Sequence, residues 1–209
     1  LIITHGECDD GFAAACILYQ HFKGKADFFS GHFQKDPPDC KNRNVIMADF
    51  SYKRPIMEKI IGDSYQFSWF DHHKSAIEDM AGFRWRPLDI HVEDTTRSGA
   101  GIVADCYGRR SKFINYIEDR DLWRFHLPDT MAFSLALRSY DQTFEIWSDL
   151  MERCEDSQSW NMFIHEGLVI QRYYNKVVRD LCKQAYQAST IPGDTWVVNC
   201  PRAFASDVA

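Results

Sequence analysis

Short apolar runs that stop abruptly at acidic or histidine residues recur along the first half of the chain. Residues 1–4 read as a buried strand that ends at His5. Residues 11–22 read as a helix, with Phe12, Ala15, Cys16, Tyr19 and Phe22 at helical spacing. Residues 26–30 form a second strand candidate. The stretch 36–44 carries Pro37, Pro38 and two asparagines and reads as a loop. Residues 45–48 are apolar and end at Asp49. Residues 55–61 predict a short helix opened by Pro55. Residues 66–70 form an aromatic strand candidate that runs into Asp71, His72 and His73.

Strands joined by helices in this way predict an α/β fold: a doubly wound, mostly parallel sheet with flanking helices. Such sheets bind ligands beyond the carboxyl ends of their strands. His5, Asp10, Asp49, Asp71, His72 and His73 all fall at those ends. The second half predicts helices over 99–107, 112–118 and 144–153, and a long one over 158–188 interrupted only at Gly167. A turn over 191–194 and a strand over 195–199 follow. The expected division is an α/β core over 1–157, a long helical linker over 158–193, and the start of a truncated second domain over 194–209.

Composition narrows the function classes. The length of 209 residues suits one domain, or one domain with part of a second. The net charge of −6 argues against a broad nucleic-acid-coating surface. It leaves room for a small phosphate substrate, because bound divalent cations reverse the sign of a local acidic site. Seven cysteines without a CxxC pair read as reduced thiols of a cytosolic protein. No apolar run approaches the ~18 residues of a membrane span. The expectation is a cytoplasmic protein with no membrane partner.

Five segments carry candidate chemistry, each with a plainer reading beside it. His5 to Gly11 combines imidazole and carboxylate donors suited to manganese, iron, zinc or magnesium; Asp9 or Asp10 could equally cap the following helix. Asp49 ends a strand and could be a metal ligand or a turn residue. Asp71, His72 and His73 offer a ligand and a proton donor to phosphate, or a solvated turn. Asp119 and Asp121 flank Arg120, which could pair with a phosphate; ordinary charges at a helix end are the alternative. The Ser98, Gly99, Ala100 turn lets backbone N–H groups approach an anion, without the spacing of a Walker loop or a dinucleotide fingerprint.

Taken together and in order, these segments resemble the DHH phosphoesterase superfamily over roughly residues 1–125, and residues 117–123 look most like its branch of short-oligonucleotide phosphodiesterases. The resemblance implies a hydrolase with two divalent metals, usually manganese, with magnesium or cobalt as alternatives. It implies His5, Asp10, Asp49, His72 and Asp119 as ligands, with Asp49 bridging, and Asp9 and Asp121 as further candidates. His73 would act on the scissile phosphate and Asp71 would orient the neighbouring histidine. Ser98, Gly99 and Arg120 would lie beside the substrate. The chain departs from the family pattern where Gly11 takes the slot of a second first-motif aspartate, and no GGGH-like motif follows.

The expected activity is hydrolysis of phosphodiester bonds in short oligonucleotides or small nucleotides by a metal-activated water, in a possible homodimer. Alternatives are a phosphatase acting on nucleotide monoesters, pyrophosphate or polyphosphate, and a catalytically degenerate nucleotide-binding module. A zinc amidohydrolase predicts an HExxH pair, and none is present. Phe12, Tyr52 and Trp123 are candidates to stack on a base.

Overall fold

The computed structural model describes residues 1–187 and 195–208. Strand β1 (Ile2–His5), helix α1 (Asp9–His21), strands β2 (Phe28–Gly31) and β3 (Asn44–Ala48), helix α2 (Arg54–Asp63), strand β4 (Gln66–Asp71), helix α3 (Lys74–Asp79) and strand β5 (Ile90–Glu93) come first. Helices α4 (Gly99–Cys106), α5 (Lys112–Asp121), α6 (Thr130–Leu137), α7 (Phe144–Arg153) and α8 (Ser157–Cys182) follow. Strands β6 (Tyr186–Gln187) and β7 (Trp196–Val197) then pair antiparallel, and a short α9 (Ala205–Val208) comes last.

The five-stranded sheet is parallel throughout, in the order β2-β1-β3-β4-β5. This is the α/β architecture expected from the alternation of strands and helices. Period-two alternation sends neighbouring residues to opposite faces. Ile2, Ala48 and Phe70 join the core under α1 and α4 to α8, whereas Ile3, Met47 and Trp69 join a second core containing Met57, Ile60 and Ile61 of α2. Both faces of the sheet are therefore covered, which is why its strands read as continuous apolar runs. The chain leaves β1 toward β2 and then crosses back to β3. The strand order thus reverses between β1 and β3, and a crevice opens at their carboxyl ends.

Three elements were not legible in the hydropathy pattern. Strand β5 is a four-residue edge strand with mostly exposed side chains, so it lacks an apolar signature. Helix α6 is buried nearly all round, which erases helical periodicity. Helix α3 is six residues long and buries none of them. The strand expected over 195–199 is present at Trp196–Val197. The turn expected over 191–194 lies outside the described residues. Among the described residues, no helix is long and apolar enough to cross a membrane.

The segment expected as a linker is partly core. Trp160, Phe163 and Ile164 of α8 are buried in the same cluster as Phe133 and Ala136 of α6. Nor does Gly167 interrupt the helix. A Cβ at that position would lie 2.0 Å from the Ala132 carbonyl oxygen, so the glycine lets α8 and α6 approach backbone to backbone. The helix stops at Cys182, short of the expected 188, because the chain turns into the β6–β7 ribbon.

This contact generates a prediction. Gly167→Ala should destabilise the protein by about 1–3 kcal/mol or more, the usual cost of overpacking a closed contact. Urea unfolding followed by circular dichroism measures it; an unchanged midpoint would show that α8 can move off α6 without cost.

Candidate metal centre

Each strand end delivers one part of the centre to the crevice. His5 is the last residue of β1, Asp49 follows β3, and Asp71 ends β4, with His72 and His73 immediately after it. Asp10 lies in the first turn of α1 and Asp121 in the last turn of α5. His72 Nε2 lies 3.1 Å from Asp49 Oδ1, 3.7 Å from Asp121 Oδ2 and 4.0 Å from Asp10 Oδ2. His5 Nδ1 lies 3.8 Å from Asp49 Oδ2. Three overlapping groups have donor atoms mutually within 4.8 Å: His5 with Cys8 and Asp49, Asp49 with His72 and His73, and Asp10 with His72 and Asp121. Asp49 joins the first two and His72 the last two.

Tight packing makes this convergence possible. Asp49 has φ +55°, a left-handed conformation unusual for a residue with a side chain. A Cβ on Gly99 would lie 2.4 Å from Asp49 Cβ, and one on Gly11 would lie 2.6 Å from the His5 carbonyl oxygen. The start of α4 and the first turn of α1 therefore close directly onto Asp49 and His5. This is the physical reason that no side chain can stand at position 11. Glu7 and Trp123, which also line the cavity, have positive φ as well. Such residues cost about 1–3 kcal/mol each and cluster at functional sites.

Behind the ligand atoms, hydrogen bonds hold the groups in place. Asp71 is fully buried, and its Oδ1 accepts from the backbone N–H of His72 at 2.7 Å and of His73 at 3.0 Å. The same oxygen lies 2.7 Å from His73 Nδ1, so that nitrogen carries the proton and donates it. The hydrogen bond to Asp71 also raises the His73 pKa, against the opposing effect of burial. Asp10 Oδ1 accepts from Ala100 N–H at the start of α4, at 3.1 Å.

Three residues expected at the centre or beside the substrate, Asp119, Ser98 and Gly99, stand elsewhere. Asp119, expected as a ligand, turns away from the centre: its carboxylate accepts from His126 N–H at 3.0 Å, from Leu127 N–H at 3.1 Å and from the Thr130 hydroxyl. It secures the loop between α5 and α6, and Asp121, two residues later on the helix, faces His72 and Asp10 instead. Asp9 points outward to Arg138 at 2.7 Å and Gln142 at 3.0 Å, leaving Asp10 as the first-motif carboxylate in the cluster. Ser98 and Gly99, expected beside the substrate, are fully buried. Ser98 caps α4 by accepting from Gly101 N–H, and its nearby hydroxyl favours the ionised form of Asp10. These two residues support the carboxylates from behind.

Cys8 was not singled out from the sequence, although it stands between His5 and Asp10 in one turn; burial pushes its thiol well above the ordinary range. Of the stacking candidates, Phe12 packs on Phe144 and Trp147, Tyr52 is buried against Phe50, and Trp123 is exposed beside the cavity. The seven cysteines are all unpaired.

Electrostatically the centre is short of positive charge. Among the described residues neither Asp10 nor Asp49 forms an ion pair with a lysine or arginine; only histidines approach them. Burial pushes Asp49 well above the carboxylate range, and the Asp10 charge adds to the effect. Burial raises Asp10 too, against hydrogen bonds from Ser98 and the α4 backbone. Asp121 is pushed up to about 7, by burial first and then by Asp10. Among the described residues, Asp10 Oδ2, Asp49 Oδ2 and His5 Nδ1 are buried without a hydrogen-bond partner. Buried acceptors left in this state are costly unless a cation or proton meets them. The mixed imidazole and carboxylate donors fit a divalent cation.

No family model matches this sequence. Uncharacterized protein R106 of Acanthamoeba polyphaga mimivirus is 30% identical over 171 residues, which is 73% of this chain and 40% of that protein. The chain thus spans about two-fifths of that relative's length. Among solved structures, an uncharacterized protein from Helicobacter pylori G27 matches 90% of this chain and 72% of its own, with a TM-score of 0.55 and 12% identity. That likeness is one of fold.

Two predictions arise from this geometry. Asp119→Ala should lower stability by about 1–3 kcal/mol, by stranding buried donors, with little effect on manganese affinity. Asp121→Asn should do the reverse, weakening manganese binding without unfolding the protein. Calorimetric titration and thermal melts on both variants separate the roles; the opposite pattern would restore Asp119 as the ligand.

The second concerns pH. A carboxyl whose folded pKa is raised stabilises the fold fully below its unfolded value and loses that contribution as pH rises through the folded value. For Asp121 this window runs from the ordinary 3.8 to about 7. The raised His73 acts in the same direction, and the lowered His5 opposes it. Carboxylates with depressed values, such as Asp89 and Asp119, are already ionised above about pH 5. Metal-free protein should therefore melt at lower temperature as pH rises from about 5 to about 7, and manganese should reverse the loss. A flat profile would mean that the acidic cluster is not strained.

Proposed function

We propose that this chain is the catalytic core of a metal-dependent phosphoesterase that hydrolyses phosphodiester bonds of short oligonucleotides or small nucleotides. The carrying observation is the set of buried, partnerless donor atoms on His5, Asp10 and Asp49, clustered with His72 and Asp121 at the switch point of a parallel sheet. The motif order that resembles the DHH superfamily supports the same reading.

In this proposal His5, Asp10, Asp49, His72 and Asp121 would hold two divalent cations, Asp49 being shared by the donor groups that contain His5 and His72. Manganese is the first choice. Bound cations of this kind supply an acidified water and countercharge for the phosphate. The chain's own residues do the rest. Asp71 fixes the His73 ring through Nδ1, which leaves Nε2 to meet a phosphate oxygen. Asp10 is held by the α4 backbone, so its free oxygen keeps one orientation.

A catalytically degenerate binding module is the weaker reading, because the donor set retains at least one histidine and one carboxylate in each of the three groups. Asp49→Asn tests the proposal. Turnover of a labelled dinucleotide with manganese should fall by more than the roughly 10–100-fold that loss of an outer partner costs, with the thermal melt of the metal-free protein preserved. Near-normal turnover at matched manganese would sink the two-metal reading.

A further inference from the structure

The cavity at the centre, about 570 Å³, is acidic only in part. His5, Asp10 and Asp121 line it together with Arg120, Trp123, Arg138, Arg202 and Asp207. Arg138 is satisfied by Asp9 at 2.7 Å, and Arg202 lies 3.3 Å from Glu7. Arg120 differs. Its side chain is only 8% exposed, its Nη1 is buried with no hydrogen-bond partner among the described residues, and its ion pair with Asp207 is long, at 3.5 Å. The guanidinium lies over the Trp123 ring at 4.2 Å and the Phe125 ring at 5.2 Å. Glu118, a buried charge on the same helix, is better met: it accepts from Arg97 at 3.0 Å and from Arg110 at 2.8 Å.

We propose that Arg120 is an anion subsite for a terminal phosphate of the substrate, distinct from the phosphate being cleaved, and that the Asp207 carboxylate stands in that phosphate's position. This rests on the phosphoesterase reading for what happens next door, but the subsite is a binding claim of its own. A planar guanidinium stacked on aromatic rings is fixed in orientation and presents a fork of N–H donors to a tetrahedral oxyanion. The orphaned Nη1 is the donor that the Asp207 contact does not satisfy. Asp207 is already bonded to the Tyr174 hydroxyl at 2.8 Å, so it can leave Arg120 without being stranded. The Trp123 indole, 53% exposed, borders the subsite and offers a face to the base carrying the phosphate. Because Arg120 immediately precedes Asp121 on α5, the subsite and the metal centre are fixed to one helix end.

The test compares three dinucleotides on the full chain in manganese: 5′-phosphorylated, 3′-phosphorylated and without a terminal phosphate. Binding by calorimetry is measured alongside cleavage. The wild type should favour one phosphorylated form over the bare one by about tenfold or more, the scale of a charge-assisted contact, and the preferred end identifies which terminus docks. Arg120→Gln should reduce that preference to within about twofold, and Arg120→Lys should restore it only in part, since the fork is lost. Asp207→Asn should tighten binding of the preferred form, which keeps the idea testable if the Arg120 variants do not fold. Equal binding of all three by the wild type, or an unaltered preference in Arg120→Gln, or no tightening in Asp207→Asn, each overturns it. Cleavage of none of them with the binding preference intact would leave the subsite standing and remove the phosphoesterase reading instead.

Discussion

Two carboxylates, Asp10 and Asp49, are buried at the crevice of the sheet with no arginine or lysine among the described residues paired to either. The surrounding structure is arranged around that constraint. An isolated buried charge is too expensive to keep, so such groups are protonated, hydrogen-bonded or matched by a cation. Here hydrogen bonds meet one oxygen of Asp10, histidines approach both residues, and free oxygens remain on each. A fold that keeps this arrangement accepts instability in exchange for a site ready to take up positive charge. The left-handed backbone at Asp49 belongs to the same pattern.

The architecture explains why the charges meet there. A parallel sheet with order β2-β1-β3-β4-β5 sends β1, β3 and β4 side by side in one direction, so their carboxyl ends share an edge. The reversal of winding between β1 and β3 keeps that edge clear of crossing connections. Helices α1 and α4 then press their first turns against it, through Gly11 and Gly99. Helix α5 brings Asp121 and Arg120 from the far side, anchored by Glu118, which accepts from Arg97, Arg110 and the Ser98 backbone. Asp121 and Arg120, which line one cavity, thus hang from the same turn of helix.

Much of the fold was legible along the chain. Apolar runs ending at His5, Asp49 and Asp71 mark three adjacent strand ends, because a strand covered on both faces must be apolar throughout and polar residues are admitted only where it emerges. The first-turn position of Asp10 and the adjacency of His72 and His73 were readable for the same reason. Less legible were the elements whose environment differs from the usual: the exposed edge strand β5 and the fully buried helix α6, each lacking an amphipathic signal.

What the sequence determined by itself was the set of residue types and their order, and through local periodicity the strands that carry them. Only the tertiary structure decided which of two near neighbours enters the centre. Asp9 and Asp10 are adjacent on α1, and Asp119 and Asp121 are two apart on α5, so a turn of roughly 100° per residue separates inward from outward. Asp9 reaches Arg138 and Asp119 reaches the α5–α6 loop, contacts made across long or irregular stretches that no spacing rule encodes. The same holds for Ser98 and Gly99, whose burial behind Asp10 and Asp49 follows from how closely α4 packs, and for Gly167, whose role depends on the Ala132 carbonyl opposite it. Local pattern records what a residue can do; the approach of distant backbone decides whether it is given the room.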